Sequence, residues 1–357
     1  DWSSDVCSSD LSNGEILGMA SYPTFNLNDP RKLTGMYTDE EIKDMSDEEY
    51  RNNLYSLWTN YCVSESYEPG STFKPVTVAS ALEEGVVKDG DTYVCKGFET
   101  VADYKLKCHV FSTIGSHGSL TVEQALMNSC NPYMIHLALE MGNSRFAYYQ
   151  SLFGFGKTTG IDLPGETTGI VYGDRMTTID AACNSFGQTI NVNMMQMMAA
   201  YCSIINGGML YQPHIVKRIE SANGEVVKEY KANLVRQTIT ASTSKLLRRY
   251  LKNTVEEGTA KKAGVTGYSV AGKTGTAQKG DRKDNKWIIS FIGHAPAENP
   301  KFAIYVVIDE PYGTTGTSGS SADVLTLKIG RASCRERVEI TGEAGLLKKK
   351  QEHTKAK

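Results

Sequence analysis

The sequence of 357 residues lacks several things, and each absence closes off a class of protein. It holds no run of 18 or more apolar residues, so nothing in it reads as a transmembrane helix. It does not open on a basic segment followed by an apolar stretch, so no signal peptide is visible. Charge of one sign is not in excess: 38 Lys and Arg face 41 Asp and Glu. That gives a nucleic-acid partner no basic field to meet. Glycine and proline, 33 and 10, are at background level, which excludes collagen-like repeats and long low-complexity linkers. Hydrophobic residues at 40% are enough for a sizeable core.

No CxxC pair occurs among the eight cysteines, which argues against a zinc ribbon or a thioredoxin-like site. Only Cys95 and Cys108 look like a local pair. A bridge between them would close a short loop worth ~3 kcal/mol; the plainer reading is two buried thiols. His109, His117, His136, His214 and His294 never fall at ligand spacing, so neither a metal nor a cofactor is expected. Seven acids between 37 and 50 read as a solvated helix face.

The two ends differ from the middle. Residues 1–11, DWSSDVCSSDL, show neither helical nor strand periodicity and read as a foreign or artefactual leader. GRASCRERV interrupts the pattern near the other end, and 330–357 reads as an artefactual or disordered basic tail. What remains, 12–329, is expected to be one domain with a helical part inserted in a sheet. Natural sequence is expected beyond both ends.

Within that domain, 14–22 alternates as a strand. Pro69-Gly70 then breaks the chain, and a helix can run from Ser71 to Gly85, with Pro75 tolerated near its start. A second helix starts at Thr121, whose spacing to Gln124 suits a capping box. It breaks at Ser129-Cys130-Asn131-Pro132, where Asn131 is expected to cap a helix reaching Gly142. Residues 191–205 form a helix whose methionines are core filler, and 243–257 form another with Arg248 and Arg249 on its wet face. Strands are expected at 267–277, 287–293 and 302–308. Their short links require antiparallel pairing. Strands from both chain ends with helices between make the fold α+β.

Three short motifs carry the chemistry: Ser71-Thr72-Phe73-Lys74, Ser129-Cys130-Asn131 and Lys273-Thr274-Gly275-Thr276. Each alone is weak. Together, in this order, they match the S-x-x-K, S-x-N and K-T-G set of serine acyl transferases. A serine hydroxyl needs an adjacent base. Lys74 can serve only when neutral, and burial or a second ammonium, that of Lys273, would push it that way. Ser129 could pass a proton to the leaving amine, and Asn131 could hold the substrate amide or Lys74. Gly275 would let a substrate backbone approach the strand. Lys273, Thr274 and Thr276 would meet a carboxylate, and backbone N–H groups of Ser71 and Thr276 would make an oxyanion hole.

A decoy crosses the third motif. Gly267 to Thr274 satisfies G-x-x-x-x-G-K-[ST] letter for letter, but no helical apolar face follows Thr274, as a phosphate-cradling loop needs. A P-loop ATPase is therefore a remote alternative.

The strings GEILGMASYPTF, YEPGSTFKP, NSCNP, GFGKTTGIDLPGE, SFGQ, NGG and GYSVAGKTGTAQK extend the likeness over about 14–327. Over this span the chain resembles class B penicillin-binding proteins, in the branch with sporulation, elongation and division transpeptidases. The resemblance implies a penicillin-binding protein transpeptidase / serine β-lactamase-like fold, an antiparallel sheet flanked by helices. It implies Ser71 as acylated nucleophile, Lys74 as general base, Ser129 and Asn131 as the middle motif, and Lys273 to Thr276 as the carboxylate-binding strand. The implied reaction is D,D-transpeptidation of peptidoglycan stem peptides, with β-lactams acylating the same serine. It further implies a membrane anchor, an extracytoplasmic domain and a glycosyltransferase partner in the whole protein. The strand before Gly14 and the helix after 327 are expected to be missing. The alternatives are a penicillin-sensing domain and a serine β-lactamase. The latter needs a deacylating carboxylate; Glu166 is available, but E-x-x-x-N reads E-T-T-G-I here.

Overall fold

The computed structural model describes residues 3–33, 37–280 and 286–311. Its frame is a five-stranded antiparallel sheet of β1 (Ser3–Asp10), β2 (Ile16–Tyr22), β3 (Ala271–Lys279), β4 (Lys286–Ala295) and β5 (Phe302–Asp309), in the spatial order β3-β4-β5-β1-β2. The α+β expectation and the two antiparallel hairpins hold, with Lys273 opposite Ile292 and Ile292 opposite Tyr305. β5 lies at the centre and is covered on both faces. That is why Ala303 to Ile308 form an unbroken apolar run instead of alternating.

Two strand expectations need correction. The third-motif strand starts at Ala271, not at 267, because Val265 and Tyr268 close a turn before it. Residues 3–10, set apart above as a leader outside the fold, form β1, paired to β5 on one side and β2 on the other. The position expected to be empty before Gly14 is filled. Asp5, Cys7, Ser9 and Leu11 face inward, and Cys7 Sγ lies 3.7 Å from Met195 Sδ. The inward set carries an acid and a serine, so no apolar period marks it. Partner strands hold it in register. The expectations for 312–357, the basic tail and the end of the domain at 329 among them, lie outside the described residues.

The helices follow their local signals. Thr121 caps Val122–Met127 through a reciprocal box with Gln124. The helix Met194–Ile205 starts on Asn193 and buries Met194, Met195, Met197 and Met198 completely or nearly so, confirming their core role. It packs on β1 and β5. The acidic stretch makes two helices, Asp39–Asp44 and Asp47–Trp58, the first with no buried residue. The helix Ala241–Glu256 lies on β3. Its Arg249 is exposed and pairs with Asp89 at 2.6 Å, but Arg248 is half-buried and donates to the Ile205 carbonyl at 2.8 Å. Arg248 thus satisfies a helix C-terminus and is not on the wet face.

Candidate active site

Residues Gly70–Phe73 form a 3-10 turn that leads into the helix Lys74–Glu84. The expected helix therefore starts three residues later than Ser71, and Pro75 takes its first turn, where a missing N–H costs nothing. The turn is wedged between two backbones. Gly70 N donates to Gly187 O at 2.9 Å, and a Cβ on Gly187 would stand 2.0 Å from Gly70 O. On the other side a Cβ on Gly70 would stand 2.6 Å from Thr276 O. The Ser-Phe-Gly-Gln string is thereby explained: Gly187 lets its loop press on the Gly70–Phe73 turn, while Thr77 Oγ1 donates to Ser185 O at 2.7 Å.

Gly275 acts differently from expectation. Its absent Cβ would lie 2.5 Å from Ser290 Oγ, 2.9 Å from Thr72 Cγ2 and 3.0 Å from Pro69 O. Glycine is needed for the turn to seat on β3, a packing role that the expected approach of a substrate backbone did not include. By strand alternation Lys273 shares that face. Lys273 is fully buried and its Nζ donates to Thr274 O at 3.1 Å. Among the described residues β3 is a sheet edge, with β4 its one partner.

The middle motif closes the site from the helix side. Asn131 does not cap the helix Asn131–Met141; Cys130 holds that position and makes no side-chain cap. Asn131 Oδ1 instead accepts from Lys74 Nζ at 2.7 Å. Lys74 also donates to Ser129 O at 2.6 Å and to Ser129 Oγ at 3.0 Å, and Ser129 Oγ donates to Ser71 Oγ at 3.0 Å. Ser129 sits at φ 54°, a left-handed conformation that costs a non-glycine residue energy and is held by its surroundings.

Lys74 is fully buried, and burial pushes its amine down to about 8, against opposition from the Cys108 and Cys130 thiols. Burial, rather than the Lys273 ammonium invoked above, is the cause. At that value about one amine in ten is neutral at pH 7.

The two competing readings lose their residues. Thr274 is followed by strand through Lys279, so the phosphate-loop reading fails. Glu166 accepts from Thr159 N, Thr159 Oγ1 and Gly160 N, at 2.7, 2.6 and 3.1 Å. Its carboxylate is spent on bracing a loop.

One grouping was invisible to spacing rules. Cys95, Cys108, Cys130 and His117 bring one ligand atom each to within 4.8 Å of one another. Cys95 and Cys108 are free, buried thiols, the plainer of the two readings given above. His117, dismissed above for its spacing, presents Nδ1 to Cys108 Sγ at 3.6 Å and to Cys95 Sγ at 3.9 Å. His294, fully buried, is a core group: it meets Tyr201 at 2.8 Å, and burial pushes it down to about 3.

The family model "Penicillin binding protein transpeptidase domain" matches residues 8–329. The chain belongs to this family. Among curated relatives it is 39% identical over 330 residues to the stage V sporulation protein D of Bacillus subtilis, covering 91% of the chain and 48% of that protein. It is 31% identical over 307 residues to the peptidoglycan D,D-transpeptidase FtsI of Escherichia coli K12, covering 85% and 46%. The chain thus spans about half the length of the curated relatives it matches. Among solved structures, penicillin-binding protein 3 of Mycobacterium tuberculosis in complex with aztreonam superposes with a TM-score of 0.76 at 27% identity, covering 97% of the chain and 76% of that one. The D,D-transpeptidase domain from Eggerthella lenta gives 0.75, also at 27%, covering 93% and 78%. The transpeptidase fold, with a sheet flanked by helices and a helical insertion, is established.

Proposed function

We propose that this domain is a serine D,D-transpeptidase acting through an acyl-enzyme on Ser71. The observation that supports it most strongly is the chain of hydrogen bonds from Ser71 Oγ through Ser129 Oγ to the buried Lys74 amine. Neutral Lys74 takes a proton from Ser129, which takes one from Ser71, as Ser71 Oγ bonds to the carbonyl carbon of the penultimate D-Ala of a stem peptide. When the C–N bond breaks, the terminal D-Ala amine leaves with the proton that Lys74 and Ser129 return. An amine from a neighbouring stem then attacks the ester, giving up its proton along the same path, and Ser71 regains its own. Backbone N–H groups of Ser71 and Thr276 would stabilise the oxyanion. Lys273, Thr274 and Thr276 would receive the substrate carboxylate along the edge strand.

A β-lactam would acylate the same hydroxyl and leave slowly, since Glu166 is engaged elsewhere. The substrate is extracytoplasmic, which places the domain on that face of the membrane in the whole protein, beside a glycosyltransferase that supplies the glycan. Among the described residues no helix is long and apolar enough to cross a membrane. Mass spectrometry after incubation with a labelled penicillin tests the reading: one adduct on a Ser71 peptide, absent from Ser71→Ala, is the expected result. Release of D-Ala that rises with an acceptor amine separates a transpeptidase from a sensor. A chain that takes up no label, or takes it elsewhere, overturns the proposal.

A further inference from the structure

We propose that Cys95, Cys108, His117 and Cys130 form a Cys3His site for a zinc ion, and that this ion pins the Ser129–Asn131 turn. Nothing in the acyl-transfer chemistry uses these four groups. They come from three segments that share no secondary structure: the end of the strand Thr92–Cys95, the loop after Tyr104–Lys107 and the start of the helix Asn131–Met141.

The spacing fits the metal. A tetrahedral centre with Zn–S of about 2.3 Å and Zn–N of about 2.0 Å sets S···N at about 3.5 Å and S···S at about 3.8 Å. The Nδ1 to sulfur distances are 3.6 and 3.9 Å, and all four ligand atoms fall within 4.8 Å. The three cysteines are buried and His117 is half-buried, so the ligands surround a point that water reaches poorly. Three thiolates and a neutral imidazole suit zinc by softness and by number, and closed four-ligand sets are structural sites. Binding would release the three thiol protons and leave a net charge of −1 on the cluster.

The groups around the ligands are also those a thiolate needs. Gly97 N donates to Cys95 Sγ at 3.4 Å. Gly97 has φ 88° and no room for a Cβ, which would lie 2.0 Å from Gly115 O, and its carbonyl accepts from Cys108 N at 2.8 Å. The backbone N–H of Asn131 reaches Cys108 and that of Tyr133 reaches Cys130, so the first turn of an eleven-residue helix points amides at two of the sulfurs. Such outer partners orient ligands and stabilise their charge.

Cys130 stands between Ser129 and Asn131, the two residues that hold Lys74. Fixing its sulfur fixes the turn in which Ser129 keeps its left-handed backbone. The consequence for acylation rests on the serine reading above; the presence of zinc does not.

The chain should be purified without a polyhistidine tag and its metal content measured by mass spectrometry. One zinc per chain is expected, released by a thiol-specific mercurial and lost in Cys95→Ser and His117→Ala. Should those variants not fold, cobalt exchanged into the wild-type chain is the second measurement: it should show thiolate charge-transfer bands and the intense visible absorption of tetrahedral cobalt. A folded chain with no zinc and no such cobalt spectrum overturns the site, as does a Cys108–Cys130 or Cys95–Cys108 disulfide in metal-free protein. Chelation should slow penicillin acylation by an order of magnitude or more, and added zinc should restore it. Unchanged acylation after complete removal of zinc overturns the pinning. Bound zinc in a chain that never acylates would leave the site standing and sink the serine reading alone.

Discussion

Ser129 Oγ donates to Ser71 Oγ at 3.0 Å and accepts from Lys74 Nζ at the same distance, so the proposed nucleophile and the proposed base are joined through a second hydroxyl. The hydrogen bonds of Lys74 run to Ser129 and Asn131, both on one turn. The link from Ser71 to Lys74 thus runs through the turn that carries Ser129 and not through a shared helix, since Ser71 lies in the 3-10 turn ahead of the helix Lys74–Glu84.

Acylation should therefore depend on pH through Lys74. Its folded value is about 8, and the proposed base is the neutral amine. The second-order rate of penicillin acylation should rise with pH through an apparent pKa near 8 and level off above it. Lys74→Ala should lose the limb along with at least about 100-fold in rate. Stopped-flow measurements with a fluorescent penicillin read both, and a flat profile between pH 6 and about 9 would remove Lys74 as the base.

Ser129 offers a test of relay against turn. At φ 54° glycine is more comfortable than serine. If Ser129 served only to shape the turn, Ser129→Gly would preserve or raise activity. The relay predicts the reverse, a loss of about 100-fold in acylation with thermal stability unchanged or improved. Rate and melting temperature on one sample separate the two.

Gly275→Ala tests how the nucleophile turn is seated. The added methyl would stand 2.9 Å from Thr72 Cγ2 and 3.0 Å from Pro69 O, so the turn must lift from β3. The expected costs are about 1–3 kcal/mol of stability and slower acylation by the displaced Ser71. Denaturant unfolding and labelling should show both together. Lost substrate affinity with wild-type stability would restore the backbone-approach role instead.

Much of this was legible in the sequence, and the rest failed for physical reasons. The central strands announce themselves because Ile288 to Ile292 and Ala303 to Ile308 are buried on both faces. The helix at Thr121 is marked by two side chains that bond each other's backbone. The first two motifs, read together, named Ser71, Lys74, Ser129 and Asn131, which the structure links by hydrogen bonds. Asn131 suits by type both roles expected of it, a helix cap and a hold on the substrate amide or Lys74; the structure shows the bond to Lys74 and not the cap. The thiol cluster was hidden because its ligands are 13, 9 and 13 residues apart, joined by loops whose path no short motif encodes. β1 was hidden because two of its three inward residues, Asp5 and Ser9, are polar.

That last feature makes Asp5 a liability in the core. Only 1% of it is exposed, its Oδ2 has no hydrogen-bond partner, and burial pushes the carboxyl up to about 7, with the Asp309 carboxylate adding to the push. The folded value lies above the unfolded one, so protonation favours the native state. The contribution is fully present below about pH 4 and is lost as pH rises through about 7. Three units correspond to a few kcal/mol at most, since part of the cost is relieved by local relaxation. Asp5→Asn keeps the shape and removes the charge. Its unfolding free energy should exceed that of the parent at pH 8 and match it near pH 4. Parallel urea titrations across that range decide it, and a variant no more stable than the parent at pH 8 would mean that β1 does not bury residue 5 in solution.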